Sequence, residues 1–371
     1  MKALVTGGAG FIGSHLVDAL LADGCEVRIL DNLDAQVHGP ERRPPDYLAC
    51  DAELQVGDIC DKQAVAKALD GVDVVFHEAA AVGVGQSMYE ITRYVTVNSL
   101  GAAILLQGIV ERRDRIRKII VASSMSIYGE GAYRNQAGEM VYPKPRAAGQ
   151  LEAHRWELTD ADGLPLVAIA TTEVKPPAPS SVYAVTKRDH EELFLVTGAA
   201  YGIDAVALRY FNTYGPRQAL SNPYTGLLAI VCSELMHQHR PVIFEDGRQT
   251  RDFVHVSDVV QANLLALHCD QAAGQVYNVG TGRPVTVLDV VDILSRRLDF
   301  GNPPDVFNRY RAGDIRHCFA DITRISAELG YRPRVALEDG ADELVRWIKT
   351  QHSADRLRTS IAALEDRVPM H

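Results

Sequence analysis

An α/β fold around a doubly wound parallel sheet, with a smaller C-terminal α/β domain, is what this sequence predicts, and three observations predict it. Residues 1–32 pass from an apolar run through TGGAGFIG to an amphipathic run and then a second apolar run. That order reads as strand, glycine turn, helix, strand. Further apolar runs at 54–56, 72–77, 118–122 and 204–209 alternate with helical stretches, as parallel strands joined by crossover helices do. After Asn212 the composition changes, and helices alternate with shorter strands.

The first element carries the most information. Gly7 permits a tight turn, Gly10 lets the backbone approach a pyrophosphate, and Gly13 lets the helix pack closely on the strand. The helix opening there aims its free N–H groups and positive dipole end at an anion, with Phe11 and Ile12 beside it. Asp31, ending the second strand, is placed to accept hydrogen bonds from the adenosine ribose and would repel a 2′-phosphate, so NAD is expected rather than NADP. This is a Rossmann-type dinucleotide site.

The excursion at 33–53 is polar and proline-bearing. Asp58 stands at a strand end, where it could meet the adenine amino group or simply cap the helix expected at 61–69. Ala79, Ala80 and Ala81 follow the strand at 72–77, and small residues there leave room for a cofactor against the backbone. A long helical stretch is expected over 87–113. From 129 to 180 the rhythm breaks into a Gly-, Pro- and Ala-rich segment with one apolar run at 164–170. A structureless loop of that length is unusual, so a lid, an oligomer contact or a small insertion is expected. A helix at 181–200 and the strand at 204–209 complete a dinucleotide-binding domain of residues 1–212, with an insertion at about 130–180. A smaller C-terminal domain for substrate is placed at 213–350, with helices at 227–238, 257–268, 286–298 and 338–350 and strands at 242–244, 275–279 and Ala320. Residues 351–371 read as a polar tail.

With 371 residues, 47% hydrophobic and 23% charged, the chain can bury a sizeable core. A net charge of −10 without a basic stripe argues against nucleic-acid or membrane partners. The six cysteines contain no CxxC pair, which suits a reducing compartment and argues against a structural zinc site, and no metal is expected. No run of about 18 apolar residues is present, and a cytoplasmic protein is expected.

Tyr183 and Lys187 lie four residues apart, on one face of the expected helix. An ammonium near a phenol favours the phenolate and lowers its pKa, making the tyrosine a general base or acid near neutrality. The strand at 118–122 runs into Ser123, Ser124, Met125 and Ser126, which brings hydroxyls to the same strand-end crevice.

In order, TGGAGFIGSH, HEAA, SSMSIYG, YAVTK, RYFNTYGP, RDFVHVSDV, YNVGTG and RAGDIRH resemble the motifs of extended short-chain dehydrogenases/reductases, and more narrowly the NAD-dependent nucleotide-sugar epimerases and dehydratases. The resemblance covers about 1–128 and 180–345. It implies a catalytic triad of Ser124, Tyr183 and Lys187, with Lys187 also holding the nicotinamide ribose. It implies that Gly7, Gly10, Phe11, Ile12, Asp31, Asn32, Asp58 and Ile59 line the NAD site, with Ala79, Ala80 and Asn98 nearby. For a nucleotide-diphosphate sugar it implies contacts from Ser124, Ser126, Asn212 and Asp314, and from Arg251 and Arg311 to the diphosphate. A homodimer through long helices, including the one bearing Tyr183, is implied as well.

Dehydratases of this family place Asp-Glu after the triad serine, where this chain has Met125 and Ser126. The resemblance therefore implies redox alone: inversion at C4 through a transient 4-keto sugar, with hydride returned to the other face. Residues 81–87 contain no Lys or Arg, which favours a neutral hexose or 6-deoxyhexose over a uronic acid. Cys318 resembles a position that sets the space for the turning sugar. The AVGVGQSMYEI stretch and the long insertion before YAVTK resemble dTDP-L-rhamnose 4-epimerases more than UDP-galactose 4-epimerases. The alternatives are a UDP-glucose/UDP-galactose 4-epimerase and then a reductase or dehydrogenase with an exchangeable cofactor; a non-catalytic NAD-sensing regulator should lack the intact set of Ser124, Tyr183 and Lys187.

Overall fold

Seven parallel strands form the central sheet of the protein, seen in a computed structural model that describes residues 1–219, 226–310 and 314–350. They are β1 (Lys2–Thr6), β2 (Glu26–Asp31), β3 (Glu53–Val56), β4 (Val74–His77), β5 (Lys118–Ser124), β6 (Asp204–Tyr210) and β7 (Val276–Val279). Their order across the sheet is β7-β6-β5-β4-β1-β2-β3. The chain winds outward from β1 to β3 and then returns to lay β4 on the other side of β1, so a crevice opens at the carboxyl ends of β1 and β4.

Strand alternation feeds two apolar layers. Ala3 and Val5 of β1, with Ile120 and Ala122 of β5, face the layer holding Leu16, Val17 and Leu20 of the first helix, Phe11–Ala22. Leu4, Ile119 and Val121 face the opposite layer, against Leu105 and Phe194. A third core joins helices Leu227–Met236, Val287–Arg297 and Leu337–Thr350 through Leu228, Val291, Leu294 and Leu344. Thr286 and Asp289 close a reciprocal cap on the second of these helices, which fixes its start.

The division expected at 212 does not separate sheet from C-terminal layer. Val276–Val279 pairs in parallel with β6 as the outer strand of the main sheet. Helix Val256–His268 also returns, burying Val259, Ala262 and Ala266 in the core of the first helix. A short apolar run looks alike in either sheet, because its local sequence does not name its partner. The helical stretch expected at 87–113 is broken into Val84–Ser87, Ile91–Tyr94, a widened π turn at Val95–Leu100, and Gly101–Val110. The last short strand is His317–Cys318, while Ala320 makes only an isolated bridge to Thr171. The tail expected at 351–371 lies outside the described residues.

The segment at 130–180 is a small insertion with its own sheet. Ala132–Arg134 pairs antiparallel with Met140–Val141 and with Val167–Ile169, the last drawn from the apolar run at 164–170. No helix among the described residues is long and apolar enough to cross a membrane.

Candidate active site

The glycine turn is shaped by contacts that admit no side chain. Gly7 has φ +71°, and a Cβ there would lie 2.8 Å from the Ala79 backbone. A Cβ on Gly13 would lie 2.2 Å from the Gly7 carbonyl oxygen, so strand end and helix meet where only hydrogen fits. Gly10 begins the helix with no side-chain cap, leaving first-turn N–H groups for an anion. Here begins a crevice of about 730 Å³, lined by Gly7, Gly10, Phe11 and Ile12 at one end. Asp31, Asn32, Ile59, Ala79 and Ala80 continue its wall.

Asp31 is fixed by its neighbours: one oxygen accepts from Ala9 N at 3.0 Å and the other from Leu33 N at 2.9 Å. Each oxygen keeps a second lone pair for a ribose hydroxyl. Burial holds the adjoining His38 below its ordinary pKa, so it offers little positive charge to a 2′-phosphate. A cradle of bare glycine backbone with a fixed carboxylate beyond it fits a dinucleotide.

Two of the expected cofactor contacts stand elsewhere. Asp58 does not line the crevice; it accepts from Asn32 Nδ2 at 3.0 Å and Cys60 N at 2.8 Å, and the following helix is capped by Asp61. It orients Asn32, which does line the wall. Asn98 is fully buried behind the wall, exchanging hydrogen bonds with the Ala81 backbone and donating to Thr186 Oγ1. From the π turn it ties the end of the alanine run to the Tyr183 helix.

Ser124 ends β5, and Tyr183 and Lys187 project from helix Val182–Tyr201, whose first turn is capped by Ser181 Oγ accepting from Ala184 N. All three line the crevice, as does Ser126, whose N–H and hydroxyl both meet Ser124 Oγ at 3.1 Å. Lys187 Nζ donates to Ala122 O at 2.9 Å and stands 3.5 Å from His190 Nδ1. The other ring nitrogen of His190 meets a carbonyl, Asn98 O, at 2.8 Å, so it carries the proton and leaves Nδ1 as an acceptor.

The lowering of the Tyr183 pKa by Lys187 is not met. Burial dominates and pushes the phenol up to about 12, with the Ser124 hydroxyl pulling the other way. The lysine is drawn instead to a carbonyl and to a carboxylate that sequence reading passed over, Glu78. Burial brings Lys187 down to about 8, offset in part by the Glu78 charge. Glu78 itself is pushed up to about 7 by burial, against a hydrogen bond from Tyr210 at 2.8 Å. The acidic residue inside HEAA, directly before Ala79, was the available signal.

At the far end, Asn212, Arg251 and Asp314 line the crevice. The Asn212 amide oxygen is buried without a protein donor, a costly arrangement that a ligand N–H or O–H would relieve. Arg251 donates to the carbonyls of Thr250 at 2.8 Å, Ile315 at 2.8 Å and Arg316 at 3.1 Å. Cys318 is buried next to Thr171 and does not reach the crevice, so it does not set the space there. Arg311 lies outside the described residues. No group of three or more His, Cys, Asp or Glu suited to a metal occurs among the described residues.

Comparison with known proteins agrees with this geometry. The family described as "NAD dependent epimerase/dehydratase family" matches residues 3–148 and 160–280. A dTDP-L-rhamnose 4-epimerase of Burkholderia thailandensis is 37% identical over 94% of this chain and 94% of its own. The crystal structure of a UDP-glucose 4-epimerase from Thermotoga maritima with UDP-glucose is similar at TM-score 0.77 and 30% identity, covering 94% of this chain and 99% of that one. A Thermus thermophilus UDP-glucose 4-epimerase in complex with NAD is similar at TM-score 0.73 and 30% identity, with coverage of 94% and 99%.

Proposed function

Because the chain belongs to the NAD-dependent epimerase/dehydratase family, we propose that it inverts C4 of a nucleoside-diphosphate sugar, with dTDP-L-rhamnose and dTDP-6-deoxy-L-talose as the pair it interconverts. The observation that carries the reading is Ser124, Tyr183 and Lys187 gathered in one crevice with the dinucleotide cradle, and Met125 and Ser126 following the serine. A family dehydratase needs a carboxylate pair at those two positions. Here Met125 is buried and Ser126 bonds Ser124, so neither position supplies a proton-transfer carboxylate.

NAD, when bound, supplies a reversible hydride acceptor and a positive charge. The chain's own residues do the rest. Tyr183 exchanges the proton of the C4 oxygen, removing it as the 4-keto sugar forms and restoring it afterwards. Ser124 holds that oxygen beside the phenol. Lys187, its ammonium anchored on the Ala122 carbonyl, holds the nicotinamide ribose. Asn212 and Arg251 hold the far end of the substrate, leaving the hexose to turn between the two hydride transfers.

The 6-deoxyhexose is supported by the relative from Burkholderia thailandensis and by the absence of Lys and Arg from residues 81–87. Arg93 does line the crevice, yet its guanidinium is committed to Gln36, Glu90 and Asp34. A second reading, UDP-glucose to UDP-galactose, is favoured by the fold shared with the UDP-glucose-bound structure. Proton NMR with dTDP-L-rhamnose and UDP-glucose in separate tubes of deuterated water decides between them. We expect the 6-deoxy-talose product with no deuterium entering the sugar. UDP-galactose alone would overturn the deoxysugar, and deuterium at C3 or C5 would overturn hydride return at C4.

A homodimer is part of the same proposal. Val95 and Leu100, and Val185 and Val196 on the Tyr183 helix, are all at least 45% exposed. Apolar side chains on neighbouring helices suit a second copy. Light scattering should give twice the mass of one chain, and Leu100→Asp with Val196→Asp should halve it; a monomeric wild type would sink this part.

A further inference from the structure

Between Ser126 and Ser180 no residue lines the crevice, so the insertion is not a lid over it. Its charged side chains point to two C-terminal segments instead. Arg146 forms a paired contact with Glu245, at 2.7 and 2.9 Å, and donates to Asp314 O at 3.0 Å. Glu130, only 6% exposed, accepts from Arg316 N at 2.8 Å through one oxygen and from His317 N at 2.7 Å through the other.

Those two N–H groups belong to the same peptide units whose carbonyls hold Arg251. The Ile315–Arg316 peptide gives its N–H to Glu130 and its C=O to Arg251 Nη2. The Arg316–His317 peptide gives its N–H to Glu130 and its C=O to Arg251 Nη1. Two successive peptide dipoles are thus held between a carboxylate and a guanidinium, each polarised in the sense that strengthens both bonds. With Thr250 O taking the other Nη1 proton, the Nε–H and one Nη2–H of Arg251 remain without a protein acceptor among the described residues. They sit on adjacent nitrogens, the fork that suits phosphate oxygens.

We propose that Glu130 is a positioning residue for substrate diphosphate, orienting the Arg251 fork through these two peptide units. The insertion then serves as a brace behind the substrate wall, with Arg146 holding the frame at Asp314. This rests on the nucleoside-diphosphate reading above and adds a residue that never touches the ligand.

The test is a double-mutant cycle on the NAD-loaded protein, with dTDP and UDP as calorimetric probes. Glu130→Gln keeps one acceptor and turns an amide donor toward the second peptide N–H. We expect it to raise the Kd for the preferred nucleotide tenfold or more in the wild-type background, and less than twofold when Arg251→Met is already present. Equal losses in both backgrounds would mean a merely structural role and overturn the proposal, as would an unchanged Kd in the wild-type background. If Glu130→Gln does not fold, Glu130→Asp, whose shorter arm cannot span both N–H groups, runs the same cycle. A wild-type protein that binds neither nucleotide would overturn the parent reading and this one with it, a result separable from a failed cycle.

Discussion

Tyr183→Phe should lower turnover by about a thousandfold while leaving NAD binding intact, since proton transfer by a placed side chain is worth roughly a hundred- to ten-thousandfold. The substitution removes one oxygen from a ring that is otherwise buried, so the fold has no reason to change. Ser124→Ala sharpens the test through pH. The Ser124 hydroxyl is the group pulling the Tyr183 pKa down against burial, so its loss moves the phenol further up. A base that must be deprotonated then acts only at higher pH, and the rising limb of kcat shifts in that direction. Steady-state kinetics across pH, with NAD affinity measured alongside, check both variants. A Tyr183→Phe protein that keeps a tenth of its turnover would remove the tyrosine from the chemistry.

Arg316→Met should produce the largest loss of stability. The Arg316 side chain is fully buried and bonds Glu157, Glu245 and Asp246. Removing it strips Glu157 and Asp246 of this cation while Glu245 keeps its pair with Arg146, so the cost falls toward the lower end of the range for breaking a buried ion pair from one side, about 3 kcal/mol. At roughly 2–4 °C per kcal/mol for a large domain, the melting temperature should fall by on the order of 10 °C. The sign with pH follows from Glu157, held down to about 2 first by His317 and then by Arg316. A depressed carboxylate stabilises above its unfolded pKa of about 4.3 and loses that stabilisation as pH falls toward the folded value. The gap between variant and wild type should therefore be fullest above about pH 5 and narrow toward pH 2. Glu157 is half exposed, so solvent screening keeps its own share small. Calorimetry at neutral and acid pH would settle it; an unchanged melting temperature would refute the argument.

The glycine turn and the Tyr183–Lys187 pair were legible because their spacing translates directly into local geometry. Gly7 and Gly13 are required by contacts within one strand–helix unit, and a four-residue spacing on a helix needs no tertiary information. Val276–Val279 was assigned to the wrong sheet because a strand's neighbour lies far off in sequence. Asp58 and Asn98 sit next to cofactor-lining residues in the chain, yet their side chains turn to Asn32 and Ala81. Charge interactions were harder still. Proximity of Lys187 to Tyr183 was readable, but Glu78, just past the end of β4, and the Ala122 carbonyl of β5 that draw the ammonium are brought in by the sheet. The insertion carried no motif, and its role rests on Glu130 and Arg146 meeting residues far along the chain.

The outer strand of the main sheet has a consequence for the making of the protein. β6 is flanked on one side by β5 and on the other by residues 276–279, with Ala207 N donating to Gln275 O and Phe211 N to Val279 O. A nascent chain that has only reached Asn212 therefore exposes the free edge of β6, a row of unpaired backbone groups open to pairing with another chain. Helix Val256–His268, which covers part of the sheet's apolar face, is also still missing at that stage. Synthesis delivers the sheet's last strand only after helix Leu227–Met236 and helix Val256–His268 have emerged, so the sheet is completed part-way through the making of the C-terminal layer.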